Sequence, residues 1–181
     1  MPNLRFIATR LHVAVVSALL LCAAGWARAE ISITLNNSFI EKYKNRATID
    51  SKFVVDQSKG APNPVSKDGD MHIAARDRQN IGMAAVAELI NAKDHLDAVQ
   101  AANEAVGTGQ PVPISGAWRI CNEHGGDNQF VQGKPVAAAS TSNPDHVFEI
   151  HPVSSIGGLD LRESFKPIPP AYDTKLPVDL P

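Results

Sequence analysis

The chain has 181 residues, a formal charge of −2, 44% hydrophobic residues and 20% charged ones. Its length supports one hydrophobic core of ordinary size. Its faintly acidic balance and 6% aromatic content supply neither the basic groove nor the run of stacking platforms that single-stranded nucleic acid requires, which argues against nucleic acid as a partner.

Residues 1–29 read as an export signal. Arg5 and Arg10 precede the apolar run Val13–Ala24, and Ala27-Arg28-Ala29 stands before Glu30. A basic start, an apolar segment and an A-x-A site mark a cleaved secretory signal. The apolar run falls short of the roughly 20 residues that a membrane-spanning helix needs. A lipoprotein signal with Cys22 as the lipidated residue is the rival, weakened by the bulk of Leu21 before it. Cleavage between Ala29 and Glu30 predicts a periplasmic or secreted protein with no transmembrane segment. The 17 basic residues then lose three arginines and fall to 14 against 19 acidic ones, a formal charge of −5. Only Cys121 survives cleavage, which excludes an intramolecular disulfide and predicts a buried, inert thiol.

Residues 30–45 form a lead-in, with Ser32–Leu35 as a short strand and Asn36–Asn45 as a short helix. Arg46–Asp56 alternates as a strand, with Ala47, Ile49, Ser51 and Phe53 on one face. Ser58–Gly69, with two prolines and two glycines, is a loop. Asp70–Asp77 alternates again: Met71, Ile73 and Ala75 oppose Asp70, His72, Ala74 and Arg76. Ile81–Ala92 satisfies both periods, and its alanines lean toward helix.

Asp94–Val106 predicts a helix with Asp94 as N-cap, Asp97 in the first turn and Gly107 as the stop. Leu96, Val99 and Val106 would be its apolar stripe. Gly107–Pro113 is a turn, and Ile114–Glu123 is a strand with Trp118 and Ile120 opposite Ala117, Arg119 and Cys121. Asn122–Asp145, rich in Gly, Asn and Ser, reads as one long loop. The last strand is His146–Val153. Alternation sends His146, Phe148 and Ile150 to one side, and Val147, Glu149, His151 and Val153 to the other. Glu149 and His151 then stand ~6–7 Å apart on one face. Residues 161–181 form an extended tail, since five of the last sixteen residues are proline.

This order predicts a mainly β (α+β) domain over residues 46–160. Its layout is that of a five-stranded antiparallel barrel of the oligonucleotide/oligosaccharide-binding (OB) kind, with one helix between strands 3 and 4. In such barrels ligands lie between the connector of strands 1 and 2 and that of strands 4 and 5. Those connectors are Gln57–Gly69 and Asn122–Asp145, and the loop-face ligand candidates are Trp118, His124, Asp127 and Phe130. Glu123-His124-Gly125-Gly126-Asp127 is either a metal clamp or a solvated turn.

Three stretches carry a resemblance: Asp68-Gly69-Asp70-Met71-His72-Ile73, Ala87-Glu88-Leu89-Ile90 and Glu149-Ile150-His151-Pro152-Val153. Over roughly 46–155 the chain resembles small exported bacterial proteins of uncharacterised function with an Asp-Gly-Asp-x-His strand, then Ala-Glu-φ and Glu-φ-His-Pro-φ, where φ is apolar. The resemblance implies an OB-like fold and a strand over 83–90. It implies no reaction, and the long loop at 122–145 and a longer helical insertion depart from the pattern.

Asp70, His72, Glu88, Glu149 and His151 form a candidate polar cluster. If strands 2, 3 and 5 bring like faces together, His72, Glu88 and His151 converge. The first reading is a hydrogen-bonded network, since a buried carboxylate without partners costs several kcal/mol (roughly). The second is the polar floor of a ligand site. The third is a metal centre, with two imidazoles and a carboxylate on a divalent transition metal such as zinc. The leading expectation for function is an exported OB-like binding domain, without a cofactor, for a small or extended ligand. The alternative is a metal-dependent hydrolase, nucleases included, using His72, Glu88, Glu149 and His151. An envelope protein partner contacted by the tail is a third.

Overall fold

The computed structural model describes residues 31–77, 79–121, 123–126 and 128–165. The expected export signal, with its Ala29-Glu30 cleavage site and Cys22, and the tail from residue 166 onward lie outside them. So does Asp127.

Four long strands and a fifth build the core. They are β2 (Thr48–Ser58), β3 (Met71–Asp77), β4 (Met83–Leu89), β5 (Pro111–Ile120) and β7 (Phe148–Ile156), flanked by the short strands β1 (Ser32–Thr34), β6 (Gln129–Val131) and β8 (Leu159–Asp160). Alternation drives most of this: Met71, Ile73, Ala75, Ala85, Ala87, Leu89, Phe148 and Ile150 all point into one hydrophobic cluster. Within the ambiguous 81–92 stretch, Met83–Leu89 is a strand because it pairs residue for residue with β3, from Met71↔Leu89 to Asp77↔Met83.

The sheet runs β4-β3-β2-β5-β7-β8 and closes on itself through a β4–β7 pairing, giving a five-stranded barrel that broadly fits the OB-like layout. One expectation is corrected: the barrel is mixed rather than antiparallel, since β4 and β7 run parallel. The described residues hold two α-helices, α1 (Asn37–Tyr43) in the lead-in before the barrel and α2 (Leu96–Ala105) after β4.

Each helix carries a plug. Phe39 and Tyr43 of α1 are buried and meet Trp118 and Phe148; Trp118 stacks on Phe148 with centroids 5.7 Å apart. The face of α2 is alanine-rich: Ala98, Val99, Ala102 and Ala105 are buried, whereas Leu96, expected in the stripe, is 65% exposed. The N-cap is His95, because Asp94 ends a 3₁₀ turn (Ala92–Asp94) that precedes the helix. Gly107 follows the helix at φ +70°, the left-handed stop that its position suggested.

Bulges set where the strands bend. The β5–β7 ladder slips between Ser115 and Gly116 and again between Gly116 and Trp118, so β7 spends two residues, His151 and Pro152, opposite Ala117. At Gly116 the backbone of β7 lies so near that a Cβ would meet the Pro152 carbonyl oxygen and Val153 Cα. The 122–145 segment is not one loop, because β6 within it pairs in parallel with β1, Ile33 opposite Phe130. Cys121 is a free thiol, half-buried rather than buried. Among the described residues no helix is long and apolar enough to cross a membrane.

Candidate functional site

The outer face of β3, β4, β7 and β5 carries the polar residues, and register explains their meeting. His72 stands directly opposite Glu88, and Arg119 opposite Glu149. The parallel ladder puts Val86 beside Glu149 and Ala87 beside Ile150, so the next residues outward, Glu88 and His151, face each other. His72 Nε2 lies 3.0 Å from one Glu88 oxygen, and His151 Nδ1 contacts the other. Arg119 donates from Nε to Glu149 and brings Nη2 to 2.8 Å from His151 Nδ1.

His146 completes the line. Its Nε2 lies 3.1 Å from Glu149 Oε1 and its Nδ1 is 2.7 Å from the Pro144 carbonyl, with the side chain 1% exposed. Alternation had put His146 on the face of Phe148 and Ile150. It escapes that face because β7 begins at Phe148, leaving residue 146 outside the ladder. His124 stacks on it, ring centroids 5.1 Å apart.

The charges are matched. Burial pushes the Glu88 carboxyl up, but the hydrogen bonds from His151 and His72 outweigh it and leave the group well below its usual 4.5. Glu149 is likewise raised by burial and lowered further by Arg119 and His146, for a net fall. The bond to Glu88 holds the His72 imidazole above its usual 6.5 against a smaller desolvation effect. Asp70 is not in the network. Its Oδ1 accepts the Asn91 N–H at 2.8 Å, and burial raises its carboxyl above the usual 3.8.

His72, Glu88 and His151 therefore converge, but with Glu88 between the imidazoles and both of its oxygens taken. Among the described residues no three His, Cys, Asp or Glu side chains are disposed to hold one metal ion. A small pocket of about 70 Å³ lies over this face, lined by His72, Val86, Glu88, Arg119, His124, Asn143, His146 and Glu149.

A larger, mostly apolar cleft of about 400 Å³ lies under the 122–145 connector. Met83, Phe130, Val131, Pro135, Val136 and Pro144 wall it, with Lys134 and Asp145 among its polar residues. A neighbouring cavity of about 300 Å³, reaching Arg76 and Gly82, shares Met83, Lys134, Pro135 and Val136 with it. Several hydrogen bonds hold the connector, among them Gln132 Nε2 to Ile81 O at 2.6 Å and Arg76 Nη1 to Val136 O at 3.3 Å. Gly133 N–H donates to Gly82 O at 2.9 Å, and Ala139 N–H to Asp56, whose carboxylate also grips Arg76.

Of the loop-face candidates, Phe130 lines the large cleft and His124 the small pocket. Trp118 faces neither: its ring belongs to the aromatic plug, and its Nε1 donates to Arg46 O at 2.8 Å. Arg119 was missed as a site residue, because its place opposite Glu149 is set by the bulged β5–β7 register. Asp77 was missed too. Buried at 1% exposure, it accepts the N–H groups of Gln79 and Ile81 at 2.7 and 3.0 Å and so organises the β3–β4 turn.

The network predicts coupling. His151→Ala and His72→Ala are each expected to cost about 1–2 kcal/mol, one charge-assisted hydrogen bond to Glu88. Because they share that carboxylate, the double variant, which leaves Glu88 with neither imidazole, should cost more than the sum. Urea denaturation of the four proteins measures this, and strict additivity would refute the shared network.

Compared with known proteins, the sequence matches no family model and no curated protein, and the fold matches no solved structure.

Proposed function

We propose that this is an exported, periplasmic or secreted, OB-like binding domain that takes an apolar or amphipathic ligand under its β5–β7 connector. The observation that carries the reading is the cleft of about 400 Å³ walled by Phe130, Met83, Val131 and Val136. It is within the range of small-molecule sites and has the expected makeup, apolar walls with few polar groups. Lys134 at its edge suits an acidic head group. The connector there is the one that joins the fourth and fifth barrel strands, where OB-like barrels hold ligands.

The test uses 1-anilinonaphthalene-8-sulfonate, an apolar ring system with an anionic group, on protein recovered from the exported fraction. Saturable fluorescence enhancement is expected, weakened roughly tenfold by Phe130→Ala, which removes about 1–2 kcal/mol of apolar contact. Enhancement that is absent, or unchanged in the variant, would count against the cleft. Amino-terminal sequencing of the same protein should begin at Glu30; a chain beginning at Met1 would count against export.

The second reading is a metal-dependent hydrolase on His72, Glu88, Glu149 and His151, favoured by their meeting on one face. The engagement of both Glu88 oxygens by imidazoles weighs against it. Stoichiometric zinc or manganese in protein purified without a chelating column would bring it forward.

A further inference from the structure

The small pocket over β3, β4 and β5 shares no lining residue with the apolar cleft. Its hydrogen-bonding capacity is unevenly used. Glu88 accepts at both oxygens, from His72 and His151, and Glu149 accepts at both, from Arg119 and His146. Donors remain. Arg119 is fixed through Nε on Glu149; its Nη2 lies 2.8 Å from His151 Nδ1, which donates to Glu88 and so cannot also accept, leaving Nη1 and Nη2 outside these bonds, and its side chain is 50% exposed. The Asn143 amide and the His124 ring reach the same pocket from the connector.

We propose that this pocket binds a small oxyanion, with the Arg119 guanidinium as its anchor and His124 and Asn143 closing over it. The ligand chemistry is a phosphoryl group, either inorganic phosphate or the end of a phosphomonoester. A guanidinium pinned through Nε to Glu149 is already partly ordered, so less freedom is lost when its free edge meets a phosphoryl oxygen. The two carboxylates do not repel the anion strongly, because each is already matched by two donors. A bare divalent cation is the poorer fit, since the lone pairs it needs are the ones the network uses. The volume of about 70 Å³ is that of two or so water molecules, room for one small oxyanion, and anything attached must lie outside.

Calorimetric titration of the exported protein at pH 7 with inorganic phosphate and with phenyl phosphate tests this, with sodium chloride of equal ionic strength as the screening control. Saturable one-to-one binding is expected, weaker by roughly tenfold or more in Arg119→Gln through loss of a charge-assisted bond. His124→Gln, a residue on the exposed connector, should weaken binding severalfold without moving the melting temperature. It decides the matter if Arg119→Gln does not fold. Phe130→Ala should leave phosphate binding unchanged, so failure here and failure of the apolar cleft are separate results. Tighter binding of phenyl phosphate assigns the pocket to a phosphomonoester, and equal or weaker binding assigns it to the free ion. No saturable heat from either at millimolar concentration, or full affinity in His124→Gln, overturns the proposal.

Discussion

Glu88→Ala is expected to lower stability by about 3 kcal/mol at pH 5.5, more than either histidine substitution. It removes both hydrogen bonds at once and leaves two imidazoles without an acceptor. The loss stays near 3 because His72 and His151 are 25% and 28% exposed, so water can reach their rings. Glu88→Gln, of the same shape without the charge, should fall between. The effect has a pH signature. Glu88's folded-state value lies below the usual 4.5, so its contribution is complete above that pH and fades as pH falls through the lowered value. The His72 value lies above the usual 6.5, so its contribution is complete below that pH and fades as pH rises through the raised value. Denaturation midpoints should therefore show the widest gap between wild type and Glu88→Ala from about pH 4.5 to 6.5, narrowing on both sides. A gap independent of pH would refute the ion-paired character of the network.

Gly116→Ala is expected to cost about 3 kcal/mol or more, although it adds one methyl group. The new Cβ would fall on the Pro152 carbonyl oxygen, 2.5 Å from Ile150 Cγ2 and 3.0 Å from Val153 Cα. Two of these are backbone atoms of β7, held in place by barrel closure, so the strands must part to admit it. Thermal melting and hydrogen exchange would check this, with the fastest new exchange expected along the β5–β7 ladder. A melting temperature within a degree or two of wild type would mean that the two backbones stand farther apart.

Much of the candidate site was legible from alternation alone. Glu149 and His151 share a face because strand geometry requires it, and His72 and Glu88 join them because each alternates with the core-facing residues of its strand. What was not legible depended on register. Nothing local in Trp118-Arg119-Ile120 says that Arg119 will stand opposite Glu149, or that Trp118 will be claimed by the aromatics of α1. His146 was misplaced by one strand boundary. Leu96 was expected inside because large apolar residues draw the eye, yet the close packing of α2 is made by alanines. The connector read as a plain loop because β6 has three residues and its partner β1 lies almost a hundred positions upstream, where no local period can point to it.

That distance has a consequence for the order of assembly. The β2–β3 and β3–β4 ladders join neighbours in sequence and can form early, whereas the β1–β6 ladder closes across nearly the whole barrel sequence. The wall carrying Phe130 is thus a layer laid over a finished barrel rather than part of its nucleus. It is also held by a ladder of three paired residues, so it is expected to open early under native conditions, while the long strands beneath stay protected.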